Sequence, residues 1–199
     1  MLEDKELCEL LKLPDITVAP GDRVGDDLNV HSVWESQGWW DHVVLGKERY
    51  ADKPSPRSDF GTNRRNIVLA LSMDGFQPWK RIAHTLTPIT CMILNLPEHL
   101  RHVKDYLLLI GVIPGPKEPK PLDNYFQICI DELIVLYRDG FEFADPLNGG
   151  APTRVYVKVL FTCADNPAHC HINRQAPAMS TYGCQKCKIQ VSVTNRDES

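Results

Sequence analysis

The chain has 199 residues, of which 43% are hydrophobic and 24% charged, and a net charge of −4. That length suits one medium-sized domain with an appended arm, and the composition supplies a packed core rather than global disorder. The acidic balance excludes a simple polycationic nucleic-acid binder, and no apolar run reaches the roughly 20 residues of a membrane span.

The opening MLEDKELCELLKLP alternates acidic charge with leucine and lacks the basic start and apolar stretch of a secretory signal. This reads as an intracellular protein, not a secreted one. Residues 2–13 fit a short helix with Leu7, Leu10 and Leu11 on one side, stopped by Pro14. Residues 14–30 are rich in Asp, Gly and Pro and read as loop. Trp34, Trp39 and Trp40 follow in a stretch without clear period, where tryptophans serve more often as core or interface anchors than as base-stacking platforms. Residues 1–45 carry 3 basic and 10 acidic side chains, residues 46–66 carry 6 and 3, and residues 67–199 carry 13 of each. The polar, proline-containing stretch 46–66 therefore marks a linker. The boundary falls near Asp59, giving an N-terminal arm over 1–58 and a main domain over 59–199.

Residues 67–71 (IVLAL) form a continuous β-favouring run, as expected for a strand buried on both faces, ending at Asp74-Gly75. Residues 84–96 read as a second strand and 106–113 as a third, closed by Pro114-Gly115-Pro116. IPGPK lacks the glycine spacing of a phosphate loop and reads as a rigid turn. Leu122 to Arg138 is the clearest helix, with Leu122, Tyr125, Phe126, Cys129, Ile130, Leu133, Leu136 and Tyr137 at helical spacing and Gly140 as its stop. Residues 154–163 read as a fourth strand, with Val155, Val157, Val159 and Phe161 on one face, ending near Asp165.

Seven cysteines suit a reduced compartment. Cys8, Cys91, Cys129 and Cys163 sit among apolar neighbours and read as small core hydrophobes. Cys170, Cys184 and Cys187 stand in polar, loop-like sequence. Cys184 and Cys187 have zinc-ligand spacing, and His169, Cys170 and His171 are the nearest residues that could complete a four-ligand site. The alternative is a pair of ordinary thiols.

The order strand, strand, strand, helix, strand, with an Asp just past the first and fourth strands, is that of an RNase H-like α/β fold. Two-metal phosphoryl chemistry needs carboxylates from separate strands converging at one sheet edge. Asp74 and Asp165 occupy the first two such places. Taken alone, Asp74-Gly75 is equally a turn signal and Asp165 a helix cap. Among basic side chains, Arg64 and Arg65 beside the first strand, Lys80, Arg81, Lys117 and Lys120 are the candidates to touch a DNA backbone, Arg64 and Arg65 also reading as solvated charges.

The segments LALSMDGFQPWK (69–80), LNLPEHLR (94–101), LLLIGVIPGPKEPKPLDNYFQICIDEL (107–133) and TCADNPA (162–168), followed by CQKC (184–187), resemble the CACTA (En/Spm) superfamily of cut-and-paste DNA transposases, its fungal branch in particular. The resemblance implies a DDE/D catalytic core in which Asp74 and Asp165 are Mg²⁺ ligands. It also implies transposon-end DNA as partner, nuclear action and assembly with other transposase copies. In such a site water or a 3′-hydroxyl attacks phosphorus in line. The family core continues past the CxxC to a third acid on a later helix, whereas this sequence ends in VSVTNRDES. The expectation is therefore a core incomplete at its C-terminal end, a truncated copy inactive alone. The alternative is a non-catalytic, transposase-derived DNA- or protein-binding module.

Overall fold

The structure is a computed structural model, and residues 5–13, 60–78, 85–115, 122–172, 176 and 180–183 are described. Its centre is strand β1 (Ile67–Met73), whose side chains are buried toward both faces of the sheet. It is flanked by β2 (Leu86–Ile93) on one side and, further along the chain, β6 (Val157–Cys163) on the other. The sheet order is β3-β2-β1-β6, where β3 is Leu107–Pro114. The β1–β2 and β2–β3 pairs are antiparallel and the β1–β6 pair is parallel. In β2 the residues Thr87, Ile89, Cys91 and Ile93 are buried while those between them are half-exposed, the alternation expected where one sheet face is covered more fully than the other.

Three helices carry the connections. The short α2 (Glu98–Arg101) lies between β2 and β3, α3 (Leu122–Arg138) follows β3, and α4 (Asn166–Ile172) follows β6. Helix α3 has the bounds its periodicity predicts. It ends as predicted at Gly140, whose φ of +69° is the left-handed conformation of a C-terminal stop. A side chain there would also meet the Val155 carbonyl oxygen at 2.5 Å. The helix is apolar beyond its buried stripe. Phe126 and Cys129 are buried, yet Tyr125, Ile128, Ile130, Ile134 and Val135 are exposed.

The core has two layers. On the α3 side, Leu69, Leu71, Met73, Ile89, Cys91, Ile113 and Val157 pack with Phe126 and Cys129. On the other side, Val68, Ala70 and Leu94 pack with Leu13 and Phe60. Helix α1 (Lys5–Leu10) is the described part of the predicted N-terminal helix; Pro14 lies outside the described residues. Leu7 and Leu11 enter the first layer and Leu13 the second, so the leucines of residues 5–13 pack into the core while Lys5, Glu6 and Glu9 stay exposed.

The predicted fourth strand, 154–163, is two strands. Before α3 hands the chain back to the sheet, β4 (Phe141–Asp145) and β5 (Ala151–Val155) form an antiparallel hairpin of their own, and β6 begins only at Val157. The break at Tyr156 has a hydrogen-bonding cause. Its N–H donates to Asn66 Oδ1 at 2.9 Å and its carbonyl accepts from Ile67 N–H at 2.9 Å, so the backbone turns from one ladder into the other there. The predicted second strand is likewise shorter, because the chain turns at Leu94 and Asn95.

Candidate active site

Asp74 stands just beyond β1, and the reason is a proline on the neighbouring strand. The β1–β2 register pairs Met73 with Ile89, and an isolated bridge then pairs Phe76 with Leu86. Both sets keep one register, so Asp74 lies opposite Pro88 and Gly75 opposite Thr87. A Cβ on Gly75 would indeed meet Thr87 Oγ1 at 3.3 Å. Phe76 and Leu86 exchange two N–H···O bonds of 2.9 Å, so the next rung of that kind falls at Asp74 and Pro88. Pro88 has no N–H to donate there. The ladder opens at that rung, and Asp74 is exposed. The turn that Asp74-Gly75 signals in isolation does not form, since pairing resumes at Phe76.

Asp165 follows β6. The parallel β1–β6 ladder runs from Ile67 beside Val157 to Leu69 beside Val159 and resumes, after a bulge at Leu160, with Ala70 beside Phe161 and Ser72 beside Cys163. Two residues past that last pair stand Asp74 and Asp165. Carried two residues further, that register would set Asp165 level with Asp74, where an unbulged strand would set Ala164. Asp165 also caps α4. Its Oδ1 accepts from Ala168 N–H at 2.9 Å, and its carbonyl accepts from His169 N–H at 2.8 Å. Asp165 is exposed as well, and the cap engages one of its two carboxylate oxygens. The helix-cap reading of Asp165 therefore holds. Asp165→Ala should lower stability by about 1 kcal/mol, while Asp165→Asn, an equally good cap, should change it by a few tenths. Asp74→Ala should stay within about 0.5 kcal/mol as a surface change. Urea midpoints for the three variants check this.

Among the described residues no group of three or more His, Cys, Asp or Glu comes together as a metal cluster. Arg64 is exposed, as the solvated reading expects, but Arg65 is half-buried. Arg64 Nε donates to the Leu13 carbonyl at 3.2 Å, and Arg65 Nε pairs with the buried Asp145 Oδ2 at 2.8 Å. Both hold the amino-terminal segment and the β4–β5 hairpin to the sheet. Lys80, Arg81, Lys117, Lys120, Cys184 and Cys187 lie outside the described residues, as does the side chain of His171.

Cys170, expected in a loop, is buried on α4, and its thiol donates to the Ala176 carbonyl at 3.5 Å. His169 is half-buried on the same helix. Cys8, Cys91 and Cys129 are buried as expected, but Cys163 is exposed near the end of β6. Burial, reinforced by the neighbouring Cys129, pushes the Cys91 thiol up to about 12. Burial also raises the Cys129 and Cys163 thiols. A raised thiol disfavours the thiolate, which is the nucleophilic form.

An apolar groove of about 310 Å³ runs between α3 and β6, lined by Leu71, Ile130, Leu133, Ile134, Val157 and Val159. It opens on the α3 side of the sheet, whereas Asp74 continues the alternation of Val68 and Ala70 on the other. The groove is thus separate from the carboxylate pair. Sequence reasoning missed Pro88 and the Leu160 bulge. A proline within the Thr-rich run HTLTPITCMIL was the one available signal for the first.

No curated protein and no solved structure matches this chain. A protein-family model does, over residues 47–198, covering β1 to α4 and both carboxylates. With that match over most of its length, the chain belongs to the transposase family tnp2.

Proposed function

We propose that Asp74 and Asp165 are the divalent-cation ligands of a DNA strand-cleaving and strand-joining site, carried on an RNase H-like core of the CACTA type. The observation that supports this best is the register: two exposed carboxylates each follow by two residues the last pair, Ser72 with Cys163, of neighbouring parallel strands. The sheet order β3-β2-β1-β6, antiparallel in its first three members and parallel in the last pair, fits the same reading.

The two residues have different parts. Asp74, on the opened rung, presents its whole carboxylate. Asp165 is oriented by its cap and offers Oδ2. Such oxygen ligands suit Mg²⁺, which keeps several waters and takes one or two carboxylates from the protein. When bound, the cation would polarise a phosphoryl oxygen and stabilise the charge of an in-line displacement. The rigid, doubly buried β1 would fix the position of the pair during that step. A third acidic ligand would come from outside the described residues. Cys184 and Cys187 remain the candidate zinc pair, with His169, Cys170 and His171 the nearest residues to complete it; the Cys170 thiol would have to leave its bond to the Ala176 carbonyl to do so. DNA is the partner this reading requires, and the nucleus its place of action. No helix among the described residues is long and apolar enough to cross a membrane.

Mn²⁺ titration followed by electron paramagnetic resonance tests the reading. The full chain should bind one ion weakly, in the millimolar range, and Asp74→Asn should weaken binding about tenfold, a loss of about 1.4 kcal/mol. Duplex nicking should stay at background, since two carboxylates under-coordinate a metal pair. Binding that Asp74→Asn and Asp165→Asn leave unchanged would sink the assignment.

A further inference from the structure

Asp74 shares its sheet face with a bare apolar surface. Val68 and Ala70 pack away from α3, and Ser72, Asp74 and Phe76 continue that alternation. The registers put Leu109 and Thr90 beside Ser72, Val112 and Pro88 beside Asp74, and Phe161 beside Ala70. At the Ile67 end this face is covered by Leu13 and Phe60. Past Ala70 its large apolar side chains are exposed: Leu109 is 63% exposed, Phe76 52%, Val112 46% and Phe161 38%. Phe76 is held in place by its two backbone bonds with Leu86.

We propose that this face binds the unpaired bases of a DNA end, with Phe76 and Phe161 as stacking platforms on the two sides of the carboxylate pair. The proposal rests on Asp74 and Asp165 being the strand-cleavage site. Three observations favour bases as the occupant. The face is continuous with the two carboxylates, and the chain belongs to a transposase family. None of the exposed face positions named above carries Lys or Arg, and Lys158, beside Val68 on the same face, is buried, so the exposed part is not built to grip phosphates. Exposed aromatic rings on a four-stranded sheet stack bases of any sequence, and a duplex keeps its base faces inside its own stack. Phe76 is two residues past Asp74, or about 7 Å along the strand, and Phe161 is four residues short of Asp165, or about 13 Å. Bases flanking a phosphate held at the carboxylates fall within that span.

The test uses the full chain in Ca²⁺ and fluorescein-labelled DNA, read by anisotropy. The probes are a blunt duplex of about 20 base pairs and the same duplex with a 3′ overhang of about four nucleotides, within the site sizes of single-strand binders. The overhang should bind about tenfold tighter than the blunt end. Phe76→Ala and Phe161→Ala should each cost about tenfold on the overhang and nothing on the blunt duplex. Phe76→Trp should restore binding, whereas Phe76→Leu, which keeps apolar area without a ring, should not. Circular dichroism confirms that the variants fold. Equal affinity for both probes, unmoved by Phe76→Ala while Asp74→Asn still loses Mn²⁺, overturns this proposal alone. Absence of binding to either probe also overturns it. So does a wild-type dimer in sedimentation that Phe76→Ala dissolves without any overhang preference, which would give the face to a second copy.

Discussion

Replacing Asn95 by alanine should destabilise the fold by about 4 kcal/mol, far more than removing either exposed carboxylate. Asn95 is 1% exposed and spends its whole amide on the backbone. Its Oδ1 accepts from Val68 N–H at 2.8 Å, and its Nδ2 donates to the carbonyls of Leu11 at 2.7 Å and Asn66 at 2.9 Å. Alanine leaves one buried N–H and two buried carbonyls without that partner, each a loss of about 1–3 kcal/mol, and opens a small void besides. The loss should be distributed in a recognisable way. Leu11 is bound to the sheet through Asn95, so amide exchange in residues 5–13 should rise first, before exchange in β1. Urea unfolding gives the total and hydrogen exchange gives the order. A loss below about 1 kcal/mol, within the range of a surface change, would show that water replaces the amide at no cost.

Asn95 also shows where sequence reading stopped. LNLPEHLR was legible as a family marker, but nothing in it says that the asparagine ties the amino terminus to the central strand. Such a role depends on three backbone groups from distant segments meeting at one point. Elements with a strong local signal were read well. The run IVLAL gives a doubly buried strand because alternation disappears when both faces are covered, and α3 ends where its periodicity meets Gly140. The β4–β5 hairpin was missed because five-residue strands leave little period to see, although its Asn-Gly-Gly turn stands in plain sight at 148–150.

The candidate site was half legible. Asp74 and Asp165 could be picked out by position after strands, yet what sets their relation is a bulge at Leu160 and a missing N–H at Pro88. The proline can be seen in the sequence but not the rung it opens, and the bulge has no signature, since it is defined only by the partner strand. The same bulge turns Phe161 away from the α3 side, where the alternation of Val157 and Val159 would otherwise place it at one remove. Arg65 departs from its solvated reading for a different reason. An arginine next to a strand looks solvated in sequence because nothing local announces a buried acid 80 residues away.

That buried acid carries the second large effect. Asp145→Ala should cost about 3–4 kcal/mol, because breaking a buried pair leaves its partner charge uncompensated. Asp145 is 1% exposed and accepts from Arg65 Nε at 2.8 Å and from Leu147 N–H at 2.9 Å. The Arg65 side chain is only 19% exposed, and its buried Nη1 has no hydrogen-bond partner among the described residues. Loss of the carboxylate would thus strand a guanidinium that already lacks one bond. Asp145→Asn keeps an acceptor for Leu147 but removes the charge, so it should cost about half as much. The decisive variant replaces both partners. Arg65→Met with Asp145→Leu removes two desolvated charges together, and such swaps often come out neutral or stabilising. The pair's value then appears as a coupling of about 2–3 kcal/mol in the double-mutant cycle, read from urea midpoints at constant m-value. Additive losses would mean that Arg65 and Asp145 are solvated independently and that the β4–β5 hairpin is held to the sheet by its apolar contacts alone.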